Sequence, residues 1–226
     1  MNYQSVTTQT RDQTRASALV TNKVLRNTYM LLSMTLLFSA VTAGLSMYFN
    51  LPYPGMIITL VGYFGLLFLT QALRNSVWGI LSVFALTGFM GLTLGPILNS
   101  VAHLPNGGQL VMTALGGTGM IFLGLSAYTL TTKKDFSFLA GFLVVGVLVA
   151  FLGGIGAAIF HIPALSLAVS AIFVLLMSGM IMFETSNIIH GGETNYIMAT
   201  VSLYVSLYNL FLSLLQLLMA FAGDRD

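Results

Sequence analysis

Long apolar stretches alternate with short polar links along most of the chain. Seven stretches approach or exceed the roughly 20 residues that a helix needs to cross the hydrocarbon core of a bilayer. They are residues 28–49, 55–73, 77–98, 109–130, 136–160, 164–188 and 197–221. The links are too short for a separate domain, so consecutive helices must run antiparallel. The pattern predicts an all-α integral membrane protein with seven transmembrane helices, a polar tail over residues 1–27 and a short C-terminal tail over residues 222–226.

The composition of the chain also indicates a membrane environment. Of the 226 residues, 57% are hydrophobic and 6% are charged, whereas a soluble domain carries about 25% charged residues. The net charge of +2 is too small to indicate nucleic-acid binding. The chain has no cysteine, which excludes disulfides and thiolate zinc sites. Lipid is therefore the expected surroundings of most of the chain.

The basic residues predict the orientation. The tail contains four of the eight, the second link contains one and the fourth link contains two, namely Arg11, Arg15, Lys23, Arg26, Arg74, Lys133 and Lys134. The first, third and fifth links contain none. Because Lys and Arg accumulate on the cytoplasmic side, the N-terminus is predicted to be cytoplasmic. The low apolar content of the tail favours disorder and makes it, with Arg11 and Arg15, a candidate partner-binding segment.

Polar side chains inside the predicted spans are the candidate functional residues. Glu184 is the only acidic residue within a span, and ionisable groups in membranes are functional by default. It lies only one to two turns from the predicted cytoplasmic end, so reaching out to the interface is the alternative interpretation. The seventh span carries polar groups spaced 4, 3, 4 and 3 residues apart, a spacing that predicts one stripe: Ser202, Ser206, Asn209, Ser213 and Gln216.

Two interpretations of this stripe remain open. The groups either hold the helices together by hydrogen bonds or line a narrow polar path that Tyr204 and Tyr208 close or flank. In either case the seventh helix should be buried, because a lipid-facing helix would not carry five hydrogen-bonding groups in one line. We expect Glu184, Ser202, Ser206 and Asn209 to form a polar, pH-sensitive site.

Enzyme chemistry is not expected. The HExxH, Walker A and GxGxxG patterns are absent. The segment 124–127 resembles the turn around a nucleophilic serine, but no His or Lys is predicted at the depth of Ser126 to act as its base. His103 and His161 fall in links on the opposite side of the membrane from His190, so the histidines cannot share a metal. No catalytic residue, cofactor or metal site is predicted.

Four segments resemble the Bax inhibitor (TMBIM) family. They are TNKVLRNTYMLLS at 21–33, GPILN at 95–99, LTTKKDFSFL at 130–139 and FETSNIIHGGETNYIMATVSLYVSLYN at 183–209. The likeness extends from about Lys23 to the end of the last span. It is strongest for a bacterial subgroup whose members modulate the membrane protease FtsH.

The resemblance carries expectations beyond the residue pattern. It implies a last helix at the centre of the bundle, a bacterial inner membrane and FtsH as the partner. Family members that leak calcium use one acidic residue in each of the last two helices. Glu184 matches the first position, but Ser206 stands where the second acid would be. Modulation, specifically inhibition, of FtsH is therefore the expected function, and a pH-sensitive leak of calcium or other cations, gated by protons, is the alternative.

Overall fold

The computed structural model describes the backbone of residues 3–223 and the side chains of residues 19–222. Seven α-helices account for most of it, each with a segment long and apolar enough to cross a membrane. The helices are α1 Tyr3–Tyr48, α2 Met56–Leu73, α3 Trp78–Ala102, α4 Gly107–Thr132, α5 Ala140–Ile159, α6 Pro163–Ile189 and α7 Tyr196–Gly223, with a 3-10 turn at Ser137–Leu139 before α5. The predicted fold class and number of spans are confirmed.

The links end the helices with residues that tolerate a left-handed backbone. Asn50 and Asn106 have φ values of 50° and 60°, and Gly191 has a φ of 75°. Glycine adopts this region without steric cost, and asparagine does so more readily than most residues. Pro163 occupies the first turn of α6, where its missing N–H would have had no helical partner.

Helix α7 is the central element. It packs against α1, α3, α4 and α6, and Phe221 is its only exposed side chain among residues 196–222. Helices α2 and α5 lie at the periphery, where α2 packs mainly on α3 and α5 mainly on α6. The central position of the last helix, expected from the resemblance, is confirmed.

Small residues allow α1 and α3 to approach closely. A β-carbon at Gly91 would collide with Ser39 and Thr42 of α1, and one at Gly95 would collide with Ser46. Without a hydrophobic force between helices in lipid, such close backbone contact is a main source of helix association. The spacing of Gly91 and Gly95 therefore serves packing within the chain.

The N-terminal boundary differs from the prediction. Helix α1 runs without a break through residues 27 and 28, and Val24 is already buried in the core. Residues 19–27 are thus part of the packed helix, because Val24 belongs to the hydrophobic core and Leu25 packs against it. The sequence does not reveal this contact, since the residues around Val24 and Leu25 are mostly polar. The side chains of Arg11 and Arg15, and all of residues 224–226, lie outside the described residues.

Candidate functional site

Glu184 lies within the bundle near one end of α6. Its side chain is 8% exposed, and the hydroxyl of Ser202 on α7 faces its carboxylate. Of the two orientations that the sequence left open for Glu184, the structure has the inward one.

The two residues after Glu184 contact other elements. The hydroxyls of Thr185 and Tyr29 of α1 are 3.4 Å apart. Ser186 accepts a bond from the N–H of Phe136 at 3.0 Å and donates to the carbonyl of Lys134 at 3.2 Å. Three consecutive side chains therefore face α7, α1 and the link before α5. Sequence reasoning missed Thr185 and Ser186, although a polar run in an otherwise apolar helix was a usable signal.

The serine stripe of α7 is turned inward, but two of its five polar side chains bond to their own helix. Ser206 is 2% exposed and donates to the carbonyl of Ser202 at 2.9 Å. The Asn209 amide donates to the carbonyl of Val205 at 2.8 Å. Since these bonds stay within α7, Ser206 and Asn209 do not hold neighbouring helices together.

Gln216 behaves differently from Ser206 and Asn209. Its side-chain oxygen accepts from Ser170 at 2.7 Å, and its side-chain nitrogen donates to Ser166 at 2.5 Å. Both serines belong to α6 and lie one turn apart. The interhelical hydrogen bonds anticipated for the stripe thus occur at the end remote from Glu184.

A second polar row lies on the opposite side of α7 and was not predicted. The hydroxyls of Tyr204 and Ser39 are 2.6 Å apart, and the ring of Tyr204 stacks on that of Tyr208 at 6.3 Å. Tyr208 reaches α3, where its hydroxyl lies 3.4 Å from the carbonyl of Met90. Leu207 is buried as well, so α7 is enclosed on all sides rather than along one stripe.

The links that carry Arg74, Lys133, Lys134 and His190 meet at one end of the bundle, which we call the basic end. The Asn195 amide donates to the carbonyl of Arg74 at 3.0 Å. His190 Nδ1 donates to the carbonyl of Ser186 at 2.9 Å, and Ser186 in turn bonds to Lys134. Hydrogen bonds therefore tie the α2–α3, α4–α5 and α6–α7 links together near Glu184.

Asp135 marks the start of α5 at this end. Its carboxylate accepts from the backbone N–H of Ser137 at 2.8 Å. This backbone hydrogen bond, and after it one from the Ser137 side chain, lower the pKa of Asp135 below its ordinary value. The carboxylate thus stabilises the 3-10 turn while it is ionised.

The described part of the chain has no cluster of three or more His, Asp or Glu side chains that could hold a metal ion. The only acidic side chain described inside a span is that of Glu184, and Ser206 has no carboxylate to pair with it. Ser126 is buried, and its hydroxyl has no hydrogen-bond partner among the described residues. It therefore lacks the base that a nucleophilic serine requires.

Comparison with known proteins identifies a matching family model and several relatives of the chain. Residues 21–223 match the family model described as Inhibitor of apoptosis-promoting Bax1. The chain is 58% identical over 205 residues to the Modulator of FtsH protease YccA of Escherichia coli K12, covering 90% of this chain and 93% of that protein. It has the same identity and coverage with the Inner membrane protein YccA of an E. coli O6:H1 strain. An uncharacterized membrane protein of Vibrio cholerae is 45% identical over 215 residues, with 92% of this chain and 94% of that protein covered.

Proposed function

Because the chain belongs to the Bax inhibitor family, and because its relative in E. coli is named for its action on FtsH, we propose that it modulates an FtsH-type protease in the bacterial inner membrane. The observation that carries this proposal is 58% identity over nine-tenths of both chains. Identity of that extent includes the bundle and its links rather than a single motif. The expected direction of the modulation is inhibition.

The bundle suggests how inhibition would work. The mostly polar residues before Leu19, which include Arg11 and Arg15, are the segment that we propose the protease grasps. Behind them, α7 is surrounded by four helices, and the basic end is tied by Ser186 and Asn195. Extraction would have to break these contacts together. A protease that holds the N-terminal segment is thereby occupied without degrading the chain.

The test measures degradation of a membrane substrate by purified FtsH in proteoliposomes. The intact chain should slow degradation, whereas a chain lacking residues 2–18 should slow it much less. The deleted residues are mostly polar, so the melting temperature of the truncated chain should match that of the parent. Equal inhibition by both forms would show that the N-terminal segment is not the element grasped.

A second variant tests whether the protease recognises the charges of the N-terminal segment or only needs a segment that it can grasp. Arg11→Gln with Arg15→Gln keeps the length of the segment and removes its two central charges. Retained inhibition would mean that any graspable end suffices. Lost inhibition would make Arg11 and Arg15 partner-binding residues. No inhibition by the intact chain would reject the proposed function itself.

A calcium or cation leak is the second candidate, supported by the burial of Glu184 beside Ser202 within a span. One carboxylate is a poor calcium site, because calcium takes about six to eight oxygen ligands. We therefore expect no calcium flux into proteoliposomes with the parent, and flux with Ser206→Asp, which restores the acidic pair. Flux through the parent that Glu184→Gln abolishes would instead favour the leak.

A further inference from the structure

Helices α1 and α4 enclose a cleft to which α5 contributes no lining residue. Near the basic end they touch, with the rings of Tyr29 and Phe122 5.9 Å apart. Further along, a cavity of about 430 Å³ lies between them, walled by residues 36–47 of α1 and 111–122 of α4. Its floor is formed by α7 and the end of α3. Every lining residue belongs to a membrane span, so the cleft opens at the depth of the lipid chains.

The lining offers almost nothing to a polar ligand. Its hydroxyl groups are already satisfied within the protein, since Ser39 pairs with Tyr204 at 2.6 Å and Thr118 donates to the carbonyl of Ala114 at 2.7 Å. The remaining surface is built from aliphatic and aromatic side chains. An occupant therefore needs no hydrogen bonds, and water gains nothing by entering.

The shape of the cleft selects a thin occupant. Its walls are open, because Leu115 is half exposed and a β-carbon at Gly44 or Gly119 would meet no atom within 4 Å. Its floor is nearly closed, with Leu207 and Phe211 both buried. The cavity of about 430 Å³ extends along residues 36–47, a length of about 16 Å at 1.5 Å per residue, so its mean cross-section is about 26 Å². A helix with its side chains is about 10–12 Å wide, which corresponds to a cross-section of about 80 Å² or more, and it cannot enter the cleft. A single hydrocarbon chain can, and it would restore the dispersion contacts that an empty groove forfeits.

We propose that the cleft between α1 and α4 binds one acyl chain of a bilayer phospholipid. The head group would lie beyond Met47 and Leu98, at the end opposite the basic end. The nearest links there, residues 49–55 and 103–106, contain no Lys or Arg. The cleft therefore does not select its lipid by head-group charge, and phosphatidylethanolamine and phosphatidylglycerol should bind equally well.

Two glycines of α4 provide a matched test. Gly119 lines the cleft, whereas Gly124 is exposed on another face of the same helix, and both have open space before them. Leucine at either position raises helix propensity, so both variants should fold, which equal melting temperatures would verify. Only Gly119→Leu fills the cleft.

Native mass spectrometry of protein released from mild detergent reads out the retained phospholipid. The parent and Gly124→Leu should retain one phospholipid, and Gly119→Leu should retain it with about tenfold lower occupancy. Equal occupancy in the parent and Gly119→Leu, or none in the parent, would overturn the proposal. A preference for phosphatidylglycerol over phosphatidylethanolamine would overturn the head-group inference.

A phospholipid with a photoactivatable acyl chain gives an independent readout in proteoliposomes. Cross-links should concentrate on residues 36–47 and 111–122, above the level on the more exposed helices α2 and α5. Uniform labelling of all lipid-facing helices would contradict a specific site. Cross-links from these residues to a helix of another protein, in native membranes, would show that a partner rather than lipid fills the cleft.

Discussion

Helices α5 and α7 invert the usual relation between hydrophobicity and burial. Helix α5 has no polar side chain between Ala140 and Ile159, yet much of it faces outward, and Phe142 is 69% exposed. Helix α7 carries serine, threonine, tyrosine, asparagine and glutamine side chains, and it lies at the centre of the bundle. In water the more apolar helix would have been the buried one.

The difference follows from the solvent. Lipid tails are as apolar as leucine, so an apolar side chain gains little by leaving them, while a polar side chain needs a partner that only the protein supplies. Polar content therefore identifies the interior of this bundle. Mutations between apolar residues should consequently be nearly neutral on the outer face of α5, whereas mutations on α7 should be costly.

The largest effect is expected from truncating Tyr204. Its side chain is 1% exposed and contacts Ser39, so Tyr204→Ala should lower the free energy of unfolding by about 3–5 kcal/mol, as for other large buried aromatic residues. Phe142→Ala on α5 should change it little, because lipid or detergent fills the space. Denaturant unfolding in detergent measures both. Similar losses for the two variants would break the contrast between the helices.

Tyr204→Phe refines the same measurement. It keeps the ring and removes only the hydroxyl, and hydrogen bonds between membrane helices contribute about 0.6 kcal/mol on average. A loss as large as that of Tyr204→Ala would mean that the hydroxyl row, rather than packing, stabilises this side of α7.

A smaller loss is expected from enlarging Ser206. Overpacking a tight core costs about 1–3 kcal/mol, and the side chain of Ser206 is only 2% exposed. Val149→Leu is the control, because Val149 of α5 is exposed and the methylene that leucine adds there lies on the lipid side. Thermal unfolding should separate the two variants. A parent-like melting temperature for Ser206→Leu would place the stripe next to a void or to lipid.

The smallest effect is expected outside the spans, at Asp135 before α5. Because its pKa is lowered in the folded protein, its stabilising contribution is present above the ordinary carboxyl pKa. That contribution is lost as the pH falls through the lowered value. Asp135→Asn should remove this part of the acid dependence together with the carboxylate's contribution at neutral pH, and that loss should be small because Asp135 is exposed. Melting temperatures of parent and variant across the acidic range test this, and a large loss at neutral pH would contradict it.

The amino-acid sequence by itself determined the class, the number of spans and nearly all of their ends. Span length is a local property, because the thickness of the hydrocarbon core fixes how many consecutive apolar residues a helix needs. The rarity of polar groups in lipid also predicted that the stripe with Ser206 faces inward, whereas the sequence left open whether Glu184 is buried or reaches the interface. The N-terminal end of α1 was misjudged, since Val24 packs on residues far away in the chain.

Only the tertiary structure decided which groups meet. The bond of Ser186 to Lys134, the pairing of Tyr204 with Ser39 and the cleft between α1 and α4 join residues separated by 52 or more positions. Helix periodicity carries no information about such contacts. Because α7 is enclosed on every side, its sequence does not show which of its polar side chains face which neighbouring helix. The partners of these side chains depend on how the seven helices pack against one another, and no single segment of the sequence specifies that packing.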